Sequence, residues 1–241
     1  MISQAVSGSV VTVDSDVMAG AKGEMHFGTR RLLRPSVYVS VGTGISYSLI
    51  DSGQPYRGRH DKALLLGEVP VPWRGTVERL EGVAAGPAIL AAYRSRLDRH
   101  RHGATIGVPE ILRLASTSVP VASEVVREAA NACGWGLAIL ANLLDPAEIV
   151  LGGGLGSREG PYFEACRVAA LAHIWKDDSP LPEIRRATKV HRAGLYGAAA
   201  EVFRTVGVPS WGLAARRAIV SRRGDGADRL PDAAAGGDGC A

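Results

Sequence analysis

Residues 37–51, reading VYVSVGTGISYSLID, constrain this chain more than any other stretch. A β-rich run, 37–41, meets Gly42-Thr43-Gly44, and a second β-rich run, 45–50, follows at once. Two strands joined by a turn with two glycines can aim several backbone N–H groups at one point, and the missing Cβ atoms let a bulky anion approach. That is the geometry of a phosphate cradle. Read alone, it is equally the geometry of an ordinary hairpin turn.

The rest of the composition narrows the class. At 241 residues the chain can bury a substantial core. It has no apolar run of about 18 residues, so no membrane span is expected, and no basic-then-apolar leader, so no secretion signal is read. Cys133, Cys166 and Cys240 are odd in number and widely spaced, which suits reduced thiols in the cytoplasm better than a disulfide framework or a zinc site. Cys133 and Cys166 fall at helical positions and read as core. The net charge is +4, with 28 Lys and Arg. The basic clusters at 94–102 and 216–229 lack interleaved aromatics that could stack on bases, so they read as solvated faces.

Taken in order, residues 10–13 predict a short strand that ends in Asp14-Ser15-Asp16, and a helix begins at Val17 and runs to about Phe27. An aspartate at a strand-to-helix junction lies where α/β proteins place functional groups; Asp16 equally serves the helix N-terminus electrostatically. Beyond the hairpin, residues 63–71 predict a third strand, with Pro70, Pro72, Trp73 and Gly75 breaking the pattern. Residues 77–97 predict two helices, the second starting at Pro87. A shorter helix is expected at 108–115. The longest should take Ser123 as N-cap and end at Asp145-Pro146, because the residue before proline avoids the α region. Residues 148–151 (EIVL) read as a buried strand that runs straight into Gly152-Gly153-Gly154, with a helix at about 161–175. A basic β-like stretch at 188–190, a helix at 195–206 stopped by Gly207, and an unstructured tail over 210–241 complete the reading.

The order of these pieces resembles one family. DSDVMAGAKGE at 14–24 looks like the Asn-Asp junction of the ROK family, a group of bacterial sugar kinases and sugar-responsive repressors. VYVSVGTGISYSLIDSGQPYRG at 37–58 is similar to its phosphate hairpin, and VERLEGVAAGPAI at 77–89 to its Leu-Glu and Ser-Gly segment. LLDPAEIVLGGGLG at 143–156 is similar to its adenosine-binding strand and turn, and LYGAAAEVFRTV at 195–206 to its closing helix. The resemblance implies an α/β, actin/hexokinase-like (RNase H-like) C-terminal lobe at 35–209, preceded at 1–34 by a remnant of an N-terminal lobe that carries the catalytic aspartate.

The resemblance further implies ATP-dependent phosphorylation of a hexose such as glucose or an N-acetyl-hexosamine. Asp16 takes the place of the catalytic base. Ser15, Glu68 and Glu81 fall at or beside sugar-contact positions. Gly42, Thr43 and Gly44 would hold phosphate oxygens, Gly152, Gly153 and Gly154 would let the adenosine lie against backbone, and Mg2+ would neutralise phosphate charge. A homodimer is compatible with this, and direct DNA binding is disfavoured because no helix-turn-helix precedes the junction.

Several positions depart from the family pattern. An Asp-Gly-Gly-Thr type phosphate loop is absent, and Ser15 replaces an asparagine. Ser46 and Ser48 stand where further glycines are usual, Asp61 and Leu64 replace glycines, and Leu65 stands where a sugar-binding glutamate belongs. Glu68 takes the place of a histidine that contacts both sugar and zinc. The cysteine loop is missing, so no zinc is expected. Three readings therefore stand: an ATP-dependent sugar kinase, a non-catalytic sugar-responsive protein of the same fold, and a truncated inactive product.

Overall fold

The computed structural model describes residues 9–29, 32–97, 106–188 and 192–207. The hairpin that dominates the sequence is its organising element. Strand β1 (Ser36–Val41) pairs antiparallel with β2 (Ile45–Asp51), Val41 opposite Ile45, so Gly42-Thr43-Gly44 is the connection between them. A two-residue strand, β3 (Gln54–Pro55), extends the edge beyond β2. On the other side β1 pairs parallel with β6 (Glu148–Gly152), which pairs parallel with β7 (Glu183–Arg186). The sheet order is β3-β2-β1-β6-β7, and both central strands are buried as their apolar runs demand.

Alternation along the strands sorts the two faces. Val37, Val39, Val41, Ile149 and Leu151 point into a core shared with α5 (Pro120–Leu144) and α7 (Pro161–His173). Tyr38 and Val150 point to the opposite face with Ile50 of β2, where they meet Val17, Met18 and Ala21 of α1 (Asp16–Phe27). Helix α8 (Ala193–Thr205) closes over α1 at glycine contacts: a Cβ on Gly197 would fall 1.7 Å from the Ala19 carbonyl oxygen. The result is a sheet with a helical layer on each face. Cys133 and Cys166 are free thiols buried on α5 and α7, as their helical placement implied.

A buried ion network ties the layers together. Glu24 of α1 and Glu148 of β6 have fully buried side chains, and Arg185 of β7 donates to both, at 2.9 Å and 2.8 Å. Thr188 also donates to Glu24 through its backbone N–H and its hydroxyl. On the outer side of α1, Lys22 is almost fully buried between Asp14, at 2.7 Å, and Glu201 of α8.

Several local expectations are corrected. Residues 10–13 form no strand. Residues 63–71 hold a single 3-10 turn (Leu66–Glu68) rather than a third strand of the sheet. The stretch read as broken by prolines is a separate hairpin, β4 (Pro70–Trp73) with β5 (Thr76–Arg79), joined by Arg74 (φ 47°) and Gly75 (φ 85°). Two successive left-handed residues make the tight turn that suits strand twist, and a two-stranded ribbon tolerates prolines that an internal strand would not.

Helix α2 (Leu80–Ala84) follows β5 directly, and α3 (Gly86–Arg96) carries Pro87 in its first turn. Helix α4 (Val108–Ser116) is close to its expected bounds. Helix α5 starts at Pro120 with Val119 as N-cap, not at Ser123, whose hydroxyl instead donates to the Ala115 carbonyl; proline at the first helical position is the reason. Its end at Asp145 is as expected, in a left-handed conformation. The basic strand lies at 183–186, before Thr188, and residues 189 and 190 of the expected stretch, like the tail at 210–241, lie outside the described residues.

Candidate active site

The two glycine turns come together because the strands that end in them are parallel neighbours. Ser40 of β1 is opposite Gly152 of β6, so both chains leave the same edge of the sheet together, the edge where ligands bind in open α/β sheets. Gly153 begins a four-residue helix, α6 (Gly153–Gly156), with φ +77°. A Cβ there would lie 2.4 Å from the Val41 carbonyl oxygen, so the turn is pressed onto the end of β1. A Cβ on Gly42 would look toward the Gly154 amide at 3.8 Å. At Gly154 itself a Cβ would meet nothing within 4 Å, so the turn opens onto free space there.

The first turn is braced from below. The Gly42 N–H donates to the Gly44 carbonyl at 3.0 Å, and the Gly86 N–H, at the start of α3, donates to the Gly42 carbonyl at 2.8 Å. The Thr43 and Gly44 amides donate to no protein acceptor among the described residues, and both residues are exposed. Two uncommitted amides beside an exposed hydroxyl, with no side chain on the glycine, form a surface that suits phosphate oxygens. The open space at Gly154 adjoins that surface. A phosphate-bearing ligand therefore fits these residues.

Glu81, in the first turn of α2, reaches toward the same place. Its Oε2 is 3.5 Å from the Ile45 N–H, and Cβ atoms on Gly44 and Gly67 would fall 3.0 Å and 2.7 Å from that oxygen. The carboxylate thus lies beside the second glycine of the turn. Its two oxygens are suited to accept from hydroxyl groups of a neighbouring ligand.

Asp16 is the first residue of α1 and is exposed; its carboxylate accepts from the Val17 N–H at 2.8 Å. Ser15 is the N-cap, with its hydroxyl accepting from the Met18 N–H at 3.2 Å. The link between this junction and the glycine turns is Tyr38, a residue that motif reading passes over. Its phenol lies under Gly152, where a Cβ would be 1.9 Å from the hydroxyl oxygen, and 3.1 Å from where a Gly20 Cβ would sit on α1. Burial, and then the charges of Glu24 and Asp16, push the phenol up to about 12. Tyr38 is therefore neutral in ordinary conditions and acts as a spacer between α1 and the turn. Its signal was the alternation of β1, which puts Tyr38 on the face opposite Val37 and Val39.

Glu68 is not gathered with the others. It ends the 3-10 turn, is exposed, and accepts from the exposed Arg79 guanidinium at 3.1 Å. Leu65, just before that turn, is 46% exposed, with an apolar chain at the position where a carboxylate was expected. Among the described residues no cluster of three or more His, Cys, Asp or Glu side chains could hold a metal ion.

The ROK family model matches residues 2–204. A glucokinase of Streptomyces coelicolor is 30% identical over 215 residues, which cover 80% of this chain and 67% of that protein. The crystal structure of a ROK family glucokinase from Streptomyces griseus in complex with glucose and AMPPNP superposes with a TM-score of 0.73 at 27% identity, covering 83% of this chain and 70% of that one. A transcriptional regulator of Mycobacterium bovis is 32% identical over 162 residues, 61% of this chain and 36% of that protein.

Proposed function

Because this chain belongs to the ROK family, we propose that it is a sugar-kinase-like protein that holds ATP at the paired glycine turns and presents Asp16 to a hexose hydroxyl. The observation that carries this reading is the meeting of the two turns at one sheet edge, with the Thr43 and Gly44 amides uncommitted and the backbone open at Gly154. ATP, when bound, supplies the transferable phosphoryl group.

The chain's own residues then have distinct tasks. The Thr43 and Gly44 amides and the Thr43 hydroxyl bind phosphate oxygens; Gly152 and Gly153, packed on Tyr38 and Val41, set the path of the second turn, and Gly154 leaves room for the nucleoside. Glu81 accepts hydrogen bonds from sugar hydroxyls. Asp16 accepts the proton of the attacking hydroxyl, which a carboxylate at an exposed helix start can do without first losing a protein partner cation. Ser15, spent on capping, contributes position rather than a sugar contact. Mg2+ would take its contacts from phosphate oxygens and few protein groups, since no acidic cluster is present among the described residues.

A non-catalytic, sugar-responsive role is the second reading. It is favoured by the exposed Leu65 and by the pairing of Glu68 with Arg79, which leave two expected sugar acceptors unavailable. Incubation with ATP, Mg2+ and a panel of hexoses decides between them. Sugar-dependent ADP release that Asp16→Asn abolishes supports the kinase. Sugar-dependent thermal stabilisation without turnover supports the second role, and indifference to both ligands rejects both.

A further inference from the structure

A cavity lies where the β4–β5 hairpin meets helices α5 and α7. It has a volume of about 370 Å³ and is lined by Val71, Pro72, Trp73, Asn131, Trp135 and His173, with two alanines completing the wall. None of Asp16, Glu68, Glu81 or the six residues of the turns lines it. We infer that this cavity binds a neutral saccharide ring, at a site separate from the one proposed for phosphoryl transfer.

Three observations point to that ligand class. The volume lies in the range of small-molecule pockets. No Lys or Arg lines it, which disfavours phosphates and carboxylates. What remains is two indoles, an imidazole and a carboxamide. Indole surfaces cover the apolar C–H faces of a sugar ring, while an amide and an imidazole supply donors and acceptors for its hydroxyl rim.

The aromatic groups also have protein neighbours of their own. Arg74 lies over the Trp73 ring at 5.9 Å and is tied to Glu128 at 2.7 Å, which also accepts from Arg96. His173 meets Trp135 edge-on at 5.7 Å between ring centres. Its backbone carbonyl accepts from Asn142, whose own carbonyl oxygen accepts from the Trp175 N–H at 2.8 Å.

Saturation-transfer NMR on the full chain with D-glucose, D-mannose, D-xylose and N-acetyl-D-glucosamine tests the inference. The wild type, Glu81→Gln, and Trp135→Leu and Asn131→Ala, each alone and added to Glu81→Gln, are compared after circular dichroism shows each to be folded; Trp135 and Asn131 are exposed, so two independent variants report on the cavity. Saturable binding of at least one sugar is expected to persist in Glu81→Gln, where the glycine-turn site is impaired, and to weaken about tenfold or more when Trp135→Leu or Asn131→Ala is added to that variant. Absence of saturable binding in the wild type overturns the inference. So does binding lost in Glu81→Gln but kept in both cavity variants, which would support the glycine-turn site instead. A concentration-dependent dimer dissolved by Trp135→Leu, without sugar binding, would put a second copy in the cavity and also overturns it.

Discussion

Replacing Gly153 by alanine is expected to destabilise the fold by about 2–5 kcal/mol, and replacing its neighbour Gly154 is not. At Gly153 two costs add. The residue has φ +77°, and holding an L-residue in that region costs about 1–2 kcal/mol. The new Cβ would also lie 2.4 Å from the Val41 oxygen and 2.8 Å from its carbonyl carbon and nitrogen. These are backbone atoms of a central strand and cannot rotate aside. The turn or the strand must move instead, an overpacking cost of about 1–3 kcal/mol. For a domain of this size each kcal/mol lowers Tm by about 2–4 °C, so a fall of about 4–20 °C is expected. At Gly154 the same methyl meets nothing within 4 Å and φ is not left-handed, so stability should stay within about 1 kcal/mol of the wild type. Paired thermal melts by circular dichroism read the difference. Equal Tm values for the two variants would refute the packing of the second turn onto β1.

Other perturbations have equally definite outcomes. Arg185→Met should lose about 3–5 kcal/mol in urea unfolding, because Glu24 and Glu148 are left buried without their shared cation. Hydrogen bonding from Arg204, and then from Lys22, holds the Glu201 carboxyl at about 2, well below its ordinary 4.5. A depressed folded value means that the stabilisation is present above about 4.5 and is lost as pH falls toward 2. Glu201→Gln should therefore flatten the acid limb of a Tm-against-pH profile in that window; an unchanged limb would show that the ion cluster around Lys22 does not contribute. Asp16→Asn should leave Tm within about 1 kcal/mol-equivalent of the wild type, since it loses only a helix-terminus charge, while any sugar-dependent ADP release disappears.

The parts of the fold that were legible in the sequence are those set by local chemistry. The β1–β2 hairpin showed as two β-rich runs about a glycine turn, β6 as a short apolar run before three glycines, and the end of α5 as Asp145 before a proline. The parts that were not legible depend on partners distant in the chain. Pro70 and Pro72 read as breakers because nothing local shows that residues 70–73 pair with 76–79 as an isolated ribbon. Glu24 lies in a helical stretch where no local signal marks it for an ion pair. Only the fold brings Arg185, 161 residues later, to its carboxylate.

The site divided in the same way. Both glycine turns were visible as motifs, but their meeting follows from the parallel pairing of β1 with β6, which no local pattern encodes. Tyr38 reads as core, as an aromatic in a strand does, and its place under Gly152 is a tertiary fact. Glu68 stands at a motif position, but the structure places its carboxylate against Arg79 on the surface.

Calorimetric titration of a non-hydrolysable ATP analogue with Mg2+ into the wild type and Gly154→Leu tests the nucleotide site most directly. A Cβ at position 154 meets nothing within 4 Å, so a larger side chain starts into the open space at the second turn. Saturable binding in the wild type, weakened at least about tenfold in a variant of unchanged Tm, is the expected result. No saturable binding to the wild type, or equal affinity in the two proteins, would contradict a nucleotide site at the paired glycine turns.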